Sequence, residues 1–389
     1  MKFFVFNDPS RNTSGQRFWS NLDFKLKTRS QYSDRANSVF YNISAPFRKI
    51  LGSKLRGQSV IMRLGGVYHE NFVPPAIDAV EARLIRWILH AIYRWTGPTA
   101  WGAMLMNLLT HNLKILIKMW CADRIIFQSN FSLSLWQPYA PRKPSVVILN
   151  GATYHGRVLP PVPGPDNIIR VMTTYDPWRS AKRLHDLIYF VRWHNCTFDS
   201  KIELLILGYN QSACPASLTR EDREWIQAED GVRTIPTYTD YTPEIEAEIS
   251  RQHLYMTFSF RDNCPNAVIE AMSYGLPVVG LDSGGLPEIV GDAGEIVPLN
   301  QLGDYFCAYD RSFDYPDFDA LAVAASIRKV MANYANYCAN VERRFRDELG
   351  LDHVASKYLE FLTPKICAMP KRNEKPQVQI DFHLSKTQL

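Results

Sequence analysis

The residue types that could do chemistry gather in one stretch, Phe258 to Val297, FSFRDNCPNAVIEAMSYGLPVVGLDSGGLPEIVGDAGEIV. A polar loop carrying Asp262 follows an apolar run, and Pro265, suited to the first turn of a helix, marks where a helix starts. The positive end of that helix and the loop amides from Asn263 through Cys264, Pro265 and Asn266 to Ala267 would form a seat for an anion such as a diphosphate. Glu270 lies little more than one turn into the helix, and its side chain leans back toward the same end. A carboxylate there can accept from two adjacent hydroxyls, as in a ribose. Asp262, eight residues upstream, can reach hydroxyls on the other side of the phosphates. Ser283-Gly284-Gly285 lacks the side chains that would keep another backbone away. Taken singly, each feature is also what an ordinary helix start or turn would show; their order along the chain carries the inference.

The elements that must hold these residues read as alternating strands and helices. In the first half, short apolar runs occur at Phe3–Phe6, Ser38–Ile43, Ser59–Leu64, Arg124–Gln128 and Val146–Leu149. Their continuous hydrophobicity suits parallel strands buried on both faces. Helical spacing fills Pro75 to Cys121, broken at Thr96-Gly97-Pro98 into two expected helices. The second half has runs at Ile168–Thr173, Glu203–Gly208, Gly231–Ile235, Leu254–Phe258, Pro277–Leu281 and Gly294–Val297. Helical patterns alternate with them at Ala181–Trp193, Pro243–Gln252, Ala267–Tyr274 and Leu286–Val290, and a long one covers Ala320 to Leu362. Two such sets predict an α/β chain of two Rossmann-like, doubly wound domains. The expected division is 1–160 and 161–350, with a proline-rich hinge at Gly156–Asp166. A helix over 351–369 is expected to pack back toward the first domain, and 370–389 to form a flexible tail.

At 389 residues, with 46% hydrophobic and 21% charged residues, two soluble domains are the natural expectation. Seven cysteines lie at 121, 196, 214, 264, 307, 338 and 367 without a C-x-x-C pair, which argues for reduced thiols in a cytoplasmic setting. Met1 to Asp8 is too short for a signal peptide and reads as a first strand. The net charge of +5 hides an asymmetry: residues 1–160 carry 21 Lys+Arg against 7 Asp+Glu, and the remainder 23 against 32. A basic first half points to an anionic partner, such as a phospholipid surface or a phosphorylated acceptor, and peripheral contact with the inner membrane face is an expectation. No nucleic-acid module interleaves the basic residues, so no nucleic acid is expected. No G-x-G-x-x-G follows the first strand of either half, which disfavours a NAD-dependent dehydrogenase.

With those residues in view, the chain resembles the retaining GT-B glycosyltransferases of family 4. Their donor site carries E-x(7)-E, then EA-x-x-x-G-x-PV and a GG-x-PE-[IV] turn. The matching letters here are DNCPNAVIE from Asp262 to Glu270, then EAMSYGLPVV and GGLPEIV, with aspartate in place of the first glutamate. Weaker similarity extends over Met1 to Leu362: CADRIIFQSNFS at Cys121–Ser132, VILNGA at Val147–Ala152, VIMRLGGVYHEN at Val60–Asn71, and LLILG at Leu204–Gly208. The glycine-rich acceptor loop of many relatives is not evident, and Ser14-Gly15-Gln16-Arg17 occupies its place.

The resemblance implies a hexosyltransferase that uses a UDP- or GDP-sugar, retains anomeric configuration, needs no metal or other cofactor, and acts on a glycan or lipid-linked acceptor of surface polysaccharide or glycolipid synthesis. It implies a catalytic set of Lys182, Arg179, Asp262 and His69. Lys182 matches the family lysine, and Arg179 would replace the family arginine, whose place holds Thr173 or Thr174. His69 would face the cleft from the first domain. Donor binding would fall to Asn263, Cys264, Pro265, Asn266, Ala267, Glu270 and Gly208. Asp317-Phe318-Asp319 superficially offers a metal-binding D-x-D, but an aspartate before a helix is more often its cap. Two other readings stay open: a non-catalytic sugar-nucleotide-binding partner of another transferase, and a GT-B sugar-nucleotide epimerase.

Overall fold

A computed structural model describes residues 3–6, 14–29, 37–65, 112–137, 139, 141–156, 167–175, 180–209, 218–236, 242–299 and 317–362. The expected helix pair within Pro75–Cys121 lies outside them except for its last part. So do the hinge from 157 onward, the tail, His69 and Arg179.

Two parallel sheets organise the chain. The first joins β1 (Phe3–Phe6), β2 (Ser38–Asn42), β3 (Ser59–Leu64), β4 (Arg124–Phe127) and β5 (Ser145–Val147) in that order. The pairing is in parallel register throughout, for example Phe40 with Ile61 and Met62 with Ile125. Both faces are covered, as continuous hydrophobicity requires. On one face α1 (Ser14–Arg29) places Phe18, Trp19, Leu22 and Leu26 against Phe40, Ile61 and Ile126. On the other, α2 (Phe47–Leu55), α3 (Leu113–Cys121) and α4 (Asn130–Trp136) set Ile50, Ile115, Met119 and Trp136 against Val39, Met62 and Phe127.

The second sheet contains β6 (Ile168–Thr174), β7 (Lys201–Leu207), β8 (Val232–Ile235), β9 (Leu254–Thr257), β10 (Val278–Leu281) and β11 (Gly294–Val297). Their order is β11-β10-β9-β6-β7-β8. The chain starts at β6, grows one way to β8, then returns to β9 on the other side of β6. That reversal opens a crevice beyond the carboxyl ends of β6 and β9, where ligands of doubly wound sheets bind. Around the sheet pack α5 (Leu184–Thr197), α6 (Arg220–Ala228), α7 (Pro243–Ser250), α8 (Asn266–Ser273), α9 (Leu286–Val290) and α10 (Ala320–Ala332).

The long helical pattern beginning at Ala320 is broken. After α10 come α11 (Tyr334–Arg344), a π turn at Phe345–Leu349, and α12 (Leu351–Leu362), with the break before α12 at Gly350. Gly350 is where the chain crosses to the first sheet: Leu351 N–H donates to Ala152 C=O at 2.9 Å, and Ala152 N–H to Leu349 C=O at 3.1 Å. In α12, Leu351, Val354, Ala355 and Tyr358 then join the cluster around Phe18 and Phe40. Lys25 of α1 pairs with Asp352 at 2.8 Å.

Candidate functional site

The reversal in strand order brings together two loops that sequence separates. After β6 the chain forms a short 3-10 turn, Ser180–Lys182, and Phe260 N–H, beyond β9, donates to Ala181 C=O at 2.8 Å. This tie sets Lys182 Nζ 2.9 Å from Asp262 Oδ2, with side-chain exposures of 14% and 22%. The expected cation and the expected sugar-binding carboxylate therefore meet in the crevice. Helix α5 starts later than its apolar spacing implied, at Leu184, because Arg183 takes a left-handed conformation, φ 51°. The position where the resemblance looks for an arginine has none: Thr173 is buried, and the Thr174 hydroxyl lies 2.6 Å from that of Tyr255.

The turn bearing Asp262 is fixed by the two glycines that follow β10. A methyl group on Gly284 would sit 2.2 Å from Asp262 C=O, and one on Gly285 2.2 Å from Asn263 C=O. Gly285 N–H donates to Asp262 C=O at 2.8 Å, and Arg261 N–H to the Ser283 hydroxyl at 2.7 Å. The glycines thus serve loop-on-loop packing behind the site. Gly208, at the end of β7 with φ 85°, is needed for a similar reason, since a methyl there would meet Tyr175 C=O at 2.5 Å.

Helix α8 begins at Asn266 after Pro265. Val268 and Ile269 N–H turn to Pro265 C=O, while those of Asn266 and Ala267 have no acceptor among the described residues, as expected of a first turn without a side-chain cap. The Asn263 side-chain oxygen is also buried without a hydrogen-bond partner. Cys264 enters the apolar cluster beneath α8, and burial pushes its thiol up to about 12. It is a neutral packing group, and its own N–H is engaged by Asp262 Oδ1 at 3.3 Å. Of Asn263 to Ala267, the donors with no acceptor among the described residues are the backbone amides of Asn263, Asn266 and Ala267.

The first domain supplies groups to the same place, and sequence reasoning assigned them no role. Arg17, in the first turns of α1, forms a two-point ion pair with Glu270: Nη2 to Oε2 at 2.9 Å and Nε to Oε1 at 3.3 Å. Arg63, at the end of β3, is buried, lies over the rings of Phe18 and Trp19 at 5.0 and 5.7 Å, and donates to Asn150 Oδ1. Asn150 passes the link on, donating from Nδ2 to Asn266 Oδ1 at 2.6 Å. No carboxylate is among Arg63's hydrogen-bond partners in the described residues. Glu288 on α9 reaches across to α4, accepting from Asn130 N–H at 2.7 Å, Asn130 Nδ2 at 3.0 Å and Phe131 N–H at 2.7 Å. A carboxylate from one domain thereby caps a helix of the other. Arg63 and Asn150 lie within stretches quoted for the resemblance, and Arg17 lies where the glycine-rich loop of many relatives would be, but nothing in the sequence ties any of the three to the segment after β9.

Asp319 is a helix cap: its Oδ1 accepts from Leu321 and Ala322 N–H at 2.9 and 3.1 Å. No cluster of three or more His, Cys, Asp or Glu side chains suited to a metal occurs among the described residues.

Two parallel-sheet α/β domains with a crevice at the switch point define the GT-B fold. Solved structures carry the same architecture. The chain is similar to the pneumococcal O-GlcNAc transferase GtfA in complex with UDP and GlcNAc, with 14% identity over 88% of this chain and 58% of that one, TM-score 0.54. It is also similar to WaaG, a glycosyltransferase involved in lipopolysaccharide biosynthesis, with 12% identity, 94% and 100% coverage and TM-score 0.53. A third likeness is to a glycosyltransferase from Rickettsia africae, with 14% identity, 93% and 97% coverage and TM-score 0.52. The chain thus spans 58% of the length of the pneumococcal protein. Residues 179–309 match the family described as Glycosyl transferases group 1, and that segment holds Lys182, Asp262, Glu270 and both glycines. No curated protein matches the chain in sequence.

Proposed function

We propose that this protein transfers a hexose from a nucleoside-diphosphate sugar, of the UDP or GDP type, to a hydroxyl of a glycan or lipid-linked acceptor in surface polysaccharide or glycolipid synthesis. The observation that carries the reading is the convergence, inside the matched segment, of two open helix-start amides, the Lys182–Asp262 pair and Glu270 around the crevice between β6 and β9. In this account the amides of Asn266 and Ala267 hold the diphosphate and Glu270 accepts from the ribose hydroxyls. Asp262 accepts from the transferred sugar, and Lys182 turns from it toward the leaving phosphate, whose charge grows as the bond to the anomeric carbon breaks. Arg179 would add a second cation, Gly208 would shape the donor side of the crevice, and His69 would meet the acceptor hydroxyl.

Retention of configuration requires attack from the face the phosphate leaves. The acceptor oxygen bonds to the anomeric carbon as the bond to the phosphate oxygen breaks, and that oxygen takes the acceptor proton. Neither a metal nor another cofactor enters the account. That solved relatives include one holding UDP and GlcNAc and one involved in lipopolysaccharide biosynthesis supports the choice of substrates. The test is release of nucleoside diphosphate from a panel of UDP-, GDP- and ADP-sugars, with and without acceptor. Binding of a sugar nucleotide with no turnover under any condition would assign the chain to the non-catalytic reading; conversion of the sugar without its transfer would assign it to the epimerase reading.

A further inference from the structure

The flank of the first domain formed by α2 and α3 is built unlike the rest of the surface. The two helices pack side by side, burying Ile50 and Ser53 from one and Ile115 and Met119 from the other. Their outer faces are also apolar. Phe47, Leu51 and Leu55 are exposed at 41%, 42% and 81%, one stripe at i, i+4 and i+8; Leu113, Ile117 and Trp120 are exposed at 39%, 44% and 63%, a second stripe at i, i+4 and i+7. Of the ten large hydrophobic side chains exposed among the described residues, six lie on these two short helices. Concentration on adjacent stripes, rather than scatter, is what marks an interaction surface.

The same two helices are wholly basic in charge. Residues 47–56 and 112–122 contain Arg48, Lys49, Lys54, Arg56, Lys114 and Lys118 and no carboxylate. Arg48, Lys49 and Lys114 are exposed beside the stripes. Asp123, just beyond, is taken up by Lys54 at 2.7 Å and Val60 N–H at 2.8 Å.

We infer that this flank docks on an anionic phospholipid surface. Apolar side chains and a tryptophan ringed by lysine and arginine suit the headgroup boundary, where hydrocarbon reaches the acyl region and ammonium groups stay among phosphates. A second copy of this chain is the wrong occupant, because a symmetric contact would set Arg48, Lys49 and Lys114 against the same cations. No helix among the described residues is long and apolar enough to cross a membrane. The inference is independent of the donor-site reading, since vesicle binding can hold or fail whether or not sugar is transferred.

The experiment is sedimentation of the full chain with vesicles of phosphatidylcholine alone or with added phosphatidylglycerol. The expected result is partition onto the anionic vesicles only, weakened by salt within the range where screening is strong. Leu51→Ser with Trp120→Ser is expected to lower the partition coefficient by about tenfold or more, with circular dichroism unchanged. Arg48→Glu with Lys49→Glu, both on exposed positions, should do the same by charge alone. Tyr189→Ser with Leu321→Ser, exposed on the second domain, should leave it unaltered. Absence of wild-type partition, or partition of both flank variants equal to that of the wild type, overturns the inference. So does a fall in mass by light scattering, from dimer to monomer, in the flank variants of a chain that ignores vesicles.

Discussion

Replacing Arg17 with glutamine tests how the two domains share the donor site. The pair with Glu270 has two contacts, at 2.9 and 3.3 Å, with side-chain exposures of 23% and 14%. A carboxylate offers about four lone-pair positions, and Arg17 takes one on each oxygen, which fixes the orientation of the Glu270 carboxylate. Arg17 on this account is a positioning residue that holds the Glu270 carboxylate ready. Without it, Glu270 regains rotamer freedom that the ligand must remove, a cost of about 0.5–1.5 kcal/mol, or roughly 2- to 12-fold in Kd. Titration calorimetry with whichever of UDP, GDP and ADP the wild type binds reads this directly. The effect should shrink with the 2′-deoxy nucleotide and vanish in a Glu270→Gln background, since the two changes act through one contact. Tighter binding by Arg17→Gln would show that the arginine competes with the nucleotide, and equal loss for ribose and deoxyribose would show a merely structural role. Either result refutes the reasoning.

Three further outcomes follow from the same geometry. Lys182→Ala should cut turnover by about 10²–10³-fold with a smaller change in donor affinity, because a cation on the leaving phosphate acts mainly as charge develops; steady-state kinetics on the accepted donor decide it. Gly285→Ala should cost about 1–3 kcal/mol and lower the melting temperature by several degrees, since the new methyl meets the Asn263 carbonyl, a backbone atom that cannot swing away. In iodoacetamide labelling near pH 8 followed by peptide mass spectrometry, Cys196, which is exposed, should react while Cys264, buried with its thiol pushed up to about 12, should not. Ready labelling of Cys264 in the folded chain would show that its place beneath α8 is wrong.

The strands were legible because they are continuously apolar and short, and the structure ends them within a few residues of where polar sequence begins. The start of α8 was legible for a local reason, a proline followed by small and apolar residues. The breaks in the long carboxy-terminal helical pattern were not, since Gly350 stops the helix to let the chain cross between domains, a tertiary demand that leaves apolar spacing intact. Helix α1 was overlooked because Ser14-Gly15-Gln16-Arg17 looks like a loop. Its arginine meets a glutamate 253 positions away, a contact no local pattern encodes. The Arg63–Asn150–Asn266 chain and the Glu288 cap on α4 were hidden for the same reason: each pairs ordinary polar residues from opposite domains. The donor-side residues could be found within one domain's sequence, while those from the first domain needed both domains in place.

The central claim is that the segment from Asp262 to Glu270 binds the nucleotide of a sugar donor. The most direct measurement is affinity for UDP, GDP and ADP in wild type and in Glu270→Gln, whose fold is checked by circular dichroism. The account predicts saturable binding of at least one nucleotide by the wild type, weakened by about 10- to 150-fold in the variant, as expected for losing hydrogen bonds to a charged acceptor worth about 1.5–3 kcal/mol. Binding of none of the three by the wild type, or equal binding by both proteins, would contradict it.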